Sequence, residues 1–291
     1  IRDTSVTGVQ TCALPIFNSK INIIFSTIFV SHRRKNAHYD EALAQIKLYE
    51  SIFKKYKNFY HLKNSQSLKK INTKKIGLYF LMEGAEPINK IKDLDIFYEK
   101  GIRTIGLTWN NENKYAFGTS KDGPLKEEGV KLINKMNDLG ISLDLSHLSK
   151  TSFKSAIKET KLIPIASHSN CKKVRRHERN LNNNQLKQIS NRGGVIGIVL
   201  YNKFISSKKN VSIYDMFPHF KNILNICGED HISLGSDIDG APIDDFPNEI
   251  RKPSDFVKIF HMLKKNNIKS RIIDKFLGQN IIRVLKENNI S

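Results

Sequence analysis

Four short apolar runs in this chain each stop on a side chain of the kind that binds metals. LYFLMEG reaches Glu83, ISLDLSH reaches His147, LIPIASHS reaches His168, and ISLGSDIDG reaches Asp237. An apolar run of about five residues followed at once by His, Asp or Glu reads as a buried parallel strand with its polar residue at the C-terminal tip. Four such tips on four different strands is how a (β/α)8 barrel assembles a site. No other pattern in the sequence constrains the fold as strongly.

The rest of the chain alternates in the same sense. Strand-like segments fall at 21–30, 76–82, 102–107, 141–145, 162–167, 194–200 and 232–236. Helical patterns lie between them at about 38–58, 88–100, 124–139, 150–159, 182–191 and 212–227, with further helices near 253–266, 269–276 and 278–288. Gly101 and Gly140 stand where helices give way to strands, as C-cap glycines do. Asp122-Gly123-Pro124 reads as a turn with Pro124 opening the next helix. The expected class is therefore α/β, a (β/α)8 TIM-type barrel. Seven strands can be counted, so the first strand is expected to be missing from this chain. An open doubly wound sheet is the alternative, and it would place ligands at one switch point instead of four strand ends.

Residues 1–16, IRDTSVTGVQTCALPI, do not share the Lys, Asn and Ile bias of the rest of the chain, and they resemble a translated sequencing adapter. They are expected to be an artefact, leaving a single barrel domain over 17–291. The formal charge of +20 raises nucleic-acid binding as a class. The two dense basic stretches, Lys63 to Lys75 and Lys172 to Arg179, carry no interleaved aromatic platform, so nucleic acid is not expected as a partner. Outside the first segment only Cys171 and Cys227 remain, with no CxxC motif, which suits a reducing compartment. INIIFSTIFV is too short to span a membrane. A bacterial cytoplasmic location is expected, with secretion left open because the native N-terminus is expected to lie outside this sequence.

Each candidate residue has a plain and a chemical reading. Glu83 is a salt-bridge or helix-start carboxylate, or one whose two oxygens bridge two cations. His147 and His168 are structural strand-end imidazoles, or zinc ligands. Asp237 has the position to take a proton from water and pass it to a leaving amine. Asp144 and Asp239 are candidates for orienting those ligands.

Taken together, MEG at 82–84, GIRTIGLTWN at 101–110, DLSH at 144–147, SHSN at 167–170 with RN at 179–180, GSDIDG at 235–240 and GQNIIRVL at 278–285 resemble the membrane (renal) dipeptidase family of zinc peptidases. The resemblance runs from about Phe25 to the end of the chain. It implies a barrel holding two Zn²⁺ ions, with Glu83 bridging them and His147 and His168 on the second ion. A hydroxide between the metals would attack a small dipeptide, and Asp237 would handle its proton. Arg179 would bind the C-terminal carboxylate, with Asn180, Trp109 and Tyr201 also lining the substrate site. A homodimer is implied on the same ground.

Two departures stand out. The family's opening strand carries a His-x-Asp pair for the first metal. The only such letters here, His38-Tyr39-Asp40, begin a helical pattern, so the true pair is expected upstream of Phe17. The chain as it stands is then expected to be poorly stable and inactive. Many members also carry a His in the segment that reads LTWN here; Trp109 stands in its place and offers one N–H donor and no basic nitrogen. An inactive barrel acting as a scaffold, and a related amidohydrolase acting on cyclic amides, are the alternatives.

Overall fold

The computed structural model describes residues 21–31, 37–71 and 75–288. They group into two compact units, 22–165 with 284–288, and 166–283.

The first unit begins with β1 (Ile23–Phe29), α1 (His38–Lys55), β2 (Phe59–His61), the short α2 (Ser65–Leu68) and β3 (Ile76–Glu83). It continues with α3 (Asp93–Glu99), β4 (Ile102–Gly106), α4 (Glu127–Leu139), β5 (Ser142–Asp144) and α5 (Lys150–Glu159). Every residue from Ile76 to Met82 is buried, the continuous apolar reading of a parallel strand covered on both faces. One edge of β3 is paired with β1 from Ile23↔Gly77 to Phe29↔Glu83. It also pairs in parallel with β2 at residues 76–78 and with β4 from Phe80 to Glu83. β4 pairs with β5, and Asp144 of β5 pairs with Ile165.

The β3–β4 register shifts between Phe80 and Leu81, which skips Arg103. A bulge of this kind turns a side chain out of the ladder. Arg103 donates from Nη1 to the carbonyls of Tyr98 and Ile102 and lies 3.8 Å over the Tyr98 ring. Its buried charge therefore meets the C-terminal end of α3, where carbonyl oxygens concentrate negative potential. Tyr79 points into a buried cluster with Leu62, Leu68 and Leu285, and its hydroxyl is 2.9 Å from Thr104 Oγ1. Asn288 closes the unit, bonding Ser142 Oγ and both backbone groups of Ile163.

β6 (Ile165–Ala166) stands where the two units divide. The second unit carries α6 (Asn183–Asn191), β7 (Val195–Ile198), α7 (Asn202–Ile205), α8 (Phe217–Cys227) and β8 (Ile232–Leu234). α9 (Val257–Lys265), α10 (Ser270–Asp274) and α11 (Asn280–Glu287) follow, the last passing into the first unit at Val284. β7 and β8 pair in parallel from Ile196↔Ile232 to Ile198↔Leu234. An Asn182–Gln185 capping box starts α6. Asn280 donates to the carbonyls of Glu229 and Ile232, which fixes the start of α11 against β8.

Each of the seven strands read from the sequence is present. β2 is an eighth, and three residues are too few to carry a period. His38 and Asp40 lie in the first turn of α1, with His38 Nε2 3.2 Å from the Ser31 carbonyl, so HYD is a helix start as the helical pattern indicates. Gly140 caps α4 with φ 73°, as expected. Residues 1–16 lie outside the described residues. No helix among the described residues is long and apolar enough to cross a membrane.

Candidate active site

Glu83 is the last residue of β3, paired with Phe29 on one side and Gly106 on the other. Two ladders fix the backbone from which the Glu83 side chain projects, so the carboxylate starts from a rigid element. The chain then turns through Gly84 at φ 89°, where an added Cβ would meet Glu86 Oε2 at 2.3 Å. Glycine is favoured there by φ, while the Glu86 carboxylate is the end of a flexible side chain that could move aside.

His147 follows β5 after a tight turn in which Asp144 Oδ1 accepts the Ser146 N–H at 3.0 Å. Asp144 is buried, and it shapes the loop that delivers His147. His147 itself has φ 67°, an uncommon conformation for a non-glycine residue and one found where structure holds a functional side chain in place. Its Nε2 is 2.8 Å from Glu83 Oε1, with both side chains largely shielded from solvent. Its Nδ1 is 2.9 Å from Asn110 Oδ1, an oxygen that also receives the Thr119 hydroxyl. Nδ1 therefore carries a proton and donates it to Asn110. Nε2 is left with its lone pair facing a carboxylate oxygen, an arrangement that repels unless a proton or a metal cation joins the two. The donor set thus fits a divalent metal. Trp109 lies beside it, its ring 6.1 Å from the His147 ring and edge-on to Phe29 at 5.4 Å.

In the second unit His168 sits just past β6, 7% exposed. Its Nδ1 is 2.7 Å from Ser167 Oγ, so Nε2 is the nitrogen that would take a metal. The buried Arg179 donates from Nη2 to the His168 carbonyl at 3.2 Å and lies 5.5 Å from the Phe204 ring. Tyr201 packs edge-on against Phe204 at 4.8 Å. His177 lies tilted against Phe204 at 4.6 Å, and its pKa is lowered by burial and then by the charges of Arg175 and Arg179. Asn180 donates both amide protons to backbone carbonyls, of Arg175 and Phe204. Asp237 and Asp239 follow β8 with φ 56° and 75°. The turn closes so tightly that a Cβ on Gly240 would meet Asp237 Oδ1 at 2.4 Å. Burial raises the Asp239 carboxyl above the usual range.

Thr119 and Phe204 escape a reading of the sequence, and Asn110 and Ser167 fall inside the quoted segments LTWN and SHSN without a role being read for them. Asn110 and His147 are 37 positions apart, and only the fold makes them neighbours. The one available signal is the position of Asn110 and Ser167 beside residues already singled out.

A parallel α/β sheet with Glu83 at one strand end, His147, His168 and Asp237 just past three others, and an imidazole–carboxylate contact able to hold a cation, is the kind of framework on which metal-dependent hydrolases are built. The chain belongs to the membrane dipeptidase family (Peptidase family M19), whose model matches residues 5–291. It is 30% identical over 207 residues to an uncharacterised protein of Klebsiella pneumoniae, covering 67% of this chain and 75% of that one. It is 30% identical over 229 residues to an uncharacterised dipeptidase of Schizosaccharomyces pombe, covering 75% of this chain but only 55% of that protein. In fold it matches a metallopeptidase from Rhodobacter sphaeroides liganded with a phosphinate mimic of the dipeptide L-Ala-D-Ala. There the TM-score is 0.87 at 20% identity, over 94% of this chain and 89% of the other.

Proposed function

We propose that the protein hydrolyses dipeptides at a zinc centre held by Glu83, His147 and His168. The observation that carries this is the His147 imidazole in the first unit, with Nδ1–H fixed by Asn110 and Nε2 facing the Glu83 carboxylate. The S. pombe relative named a dipeptidase and the R. sphaeroides neighbour with its dipeptide mimic support the substrate class. When bound, zinc supplies Lewis-acid polarisation of the scissile carbonyl. The remaining work falls to the chain. Arg179 pairs with the substrate's C-terminal carboxylate, for which a planar guanidinium is suited. Asp237 carries a proton from water to the departing amine. Trp109 and Tyr201 wall the substrate, and the Trp109 indole offers one N–H toward the developing oxyanion. Asn180 acts by holding the Phe204 segment, since its amide protons are already engaged. Asp144 holds the loop of His147 in shape, and Asp239 does the same for Asp237.

Zinc titration of the metal-free chain tests the site without requiring turnover. Wild-type protein is expected to bind zinc and His147→Ala to lose it; equal binding by the two overturns the reading. A stoichiometry of two ions would count against the expectation that a His-x-Asp pair lies outside this sequence. With the centre filled, unblocked dipeptides are expected to be cleaved and their C-terminal amides spared. An Arg179→Met variant that loses dipeptide hydrolysis but still cleaves a substrate without a free carboxylate would identify Arg179 as the carboxylate clamp, whereas wild-type protein that cleaves cyclic amides and spares dipeptides would favour the amidohydrolase alternative.

A further inference from the structure

His168 is held mainly by main-chain contacts. The carbonyl oxygen of Ser167, immediately before it, is wedged between β7 and the residue just past β8. A Cβ on Gly197 would lie 2.1 Å from that oxygen, and a Cβ on Gly235 only 1.9 Å from it. The two glycines also close on each other, since a Cβ on either would be 3.0 Å from the other's Cα. Neither has the positive φ that would demand glycine on conformational grounds, so close approach alone explains them. On the other side of the imidazole, the Ser169 N–H donates to the Gly197 carbonyl at 2.7 Å. The His168 carbonyl takes the Arg179 contact, and its ring takes Ser167 Oγ. The peptide units before and after His168 are thus both referenced to Gly197.

We infer that Gly197, Gly235 and Ser167 are positioning residues that set His168 as a metal ligand. This rests on the proposed role of His168 as a ligand. With the proton on Nδ1, Ser167 Oγ at 2.7 Å is placed to accept it, which leaves Nε2 as the metal-facing nitrogen. The glycine pair fixes where that nitrogen lies. With Ala at either position, the Ser167 oxygen must retreat to at least the 3.0 Å that real Cβ contacts keep. A ligand must be held to within roughly 0.5 Å of its productive place, so a retreat of this size pulls His168 off its metal.

The test compares Gly197→Ala, Gly235→Ala and Ser167→Ala with Gly129→Ala. The last variant creates an equally severe clash, 2.2 Å from the Tyr115 carbonyl, inside α4 of the first unit. Cobalt(II) affinity and its visible ligand-field spectrum are read alongside the urea midpoint of each metal-free chain. The Gly197→Ala and Gly235→Ala variants are expected to weaken cobalt by about 10–100-fold, the range for supporting residues of metal ligands. Their spectra should change, and Ser167→Ala should follow with little loss of stability. Gly129→Ala should lose stability and keep the wild-type affinity and spectrum. If Gly197→Ala and Gly235→Ala behave like Gly129→Ala, or if Ser167→Ala binds cobalt as wild type does, the inference falls while the metal reading stands. Should the glycine variants fail to fold, Ser167→Ala decides alone. Wild-type chain that binds no cobalt refutes the metal reading itself, and this inference with it.

Discussion

The two imidazoles at strand tips are held in opposite ways. In the first unit, His147 is set by side chains: Asn110 on one nitrogen, Glu83 on the other, and Trp109 alongside. In the second unit, His168 is set largely by backbone: a carbonyl between two glycines, one N–H bond, and an arginine on its own carbonyl. A side-chain support can be removed one group at a time, with graded effects. A backbone support fails through displacement of a whole peptide. The first kind of seat is therefore tuned by changing the groups that touch the ring, and the second by changing the space its main chain occupies.

The largest effect should come from the ligand itself. Glu83→Gln is expected to reduce zinc affinity by more than about 100-fold, beyond the range seen for supporting residues. Isothermal titration measures it; an unchanged affinity would remove Glu83 from the centre. Asn110→Ala removes only the orienting acceptor, so a loss of roughly 10-fold to 100-fold is expected there, with the fold intact by circular dichroism.

Next comes a pH effect to which both units contribute, since burial lowers the pKa of His61 in the first unit to about 4 just as it does that of a histidine in the second. His219 is fully buried, accepting the Cys171 N–H on Nδ1 and donating from Nε2 to the Ile205 carbonyl, and burial lowers its pKa to about 4. A histidine whose folded pKa lies below its unfolded value stabilises the fold above the unfolded value of 6.5, and that contribution is lost as pH falls toward about 4. Wild-type urea midpoints should decline across that window. His219→Gln should start lower and decline less, and parallel curves would remove His219 as a cause. Tyr79→Phe in the first unit deletes one buried hydroxyl bond to Thr104 and is expected to cost about 1 kcal/mol in urea unfolding. Lys131→Ala is the smallest: its ion pairs to Glu127 and Glu128 are solvent-exposed, and no measurable change is expected.

The same contrast decides what the sequence reveals. The strand tips bearing Glu83, His147, His168 and Asp237 are legible because an abrupt change from apolar to ionisable is a local event. The helical nature of His38-Tyr39-Asp40 is legible for the same reason, since the apolar spacing directly after it is helical. β2 is not legible, because three residues cannot display a period and their partner lies in β3. Asn110 is not legible as a partner of His147, because loop-to-loop contacts are set by the fold. Gly197 and Gly235 are the least legible of all. Glycine in a strand signals only that something approaches closely, and the sequence does not say that the something is the residue before a histidine.

β3 has a neighbour on each edge, and no stretch of it from Gly77 to Glu83 lacks a partner strand. Each of its amides points to one edge, so it can meet solvent deuterium only when the ladder on that edge opens. In native-state exchange they should be the slowest in the first unit, slower than those of α4 with its exposed face. Glu83 then sits at the end of the segment that opens last, and the carboxylate should keep its place even when the helices around it are fraying.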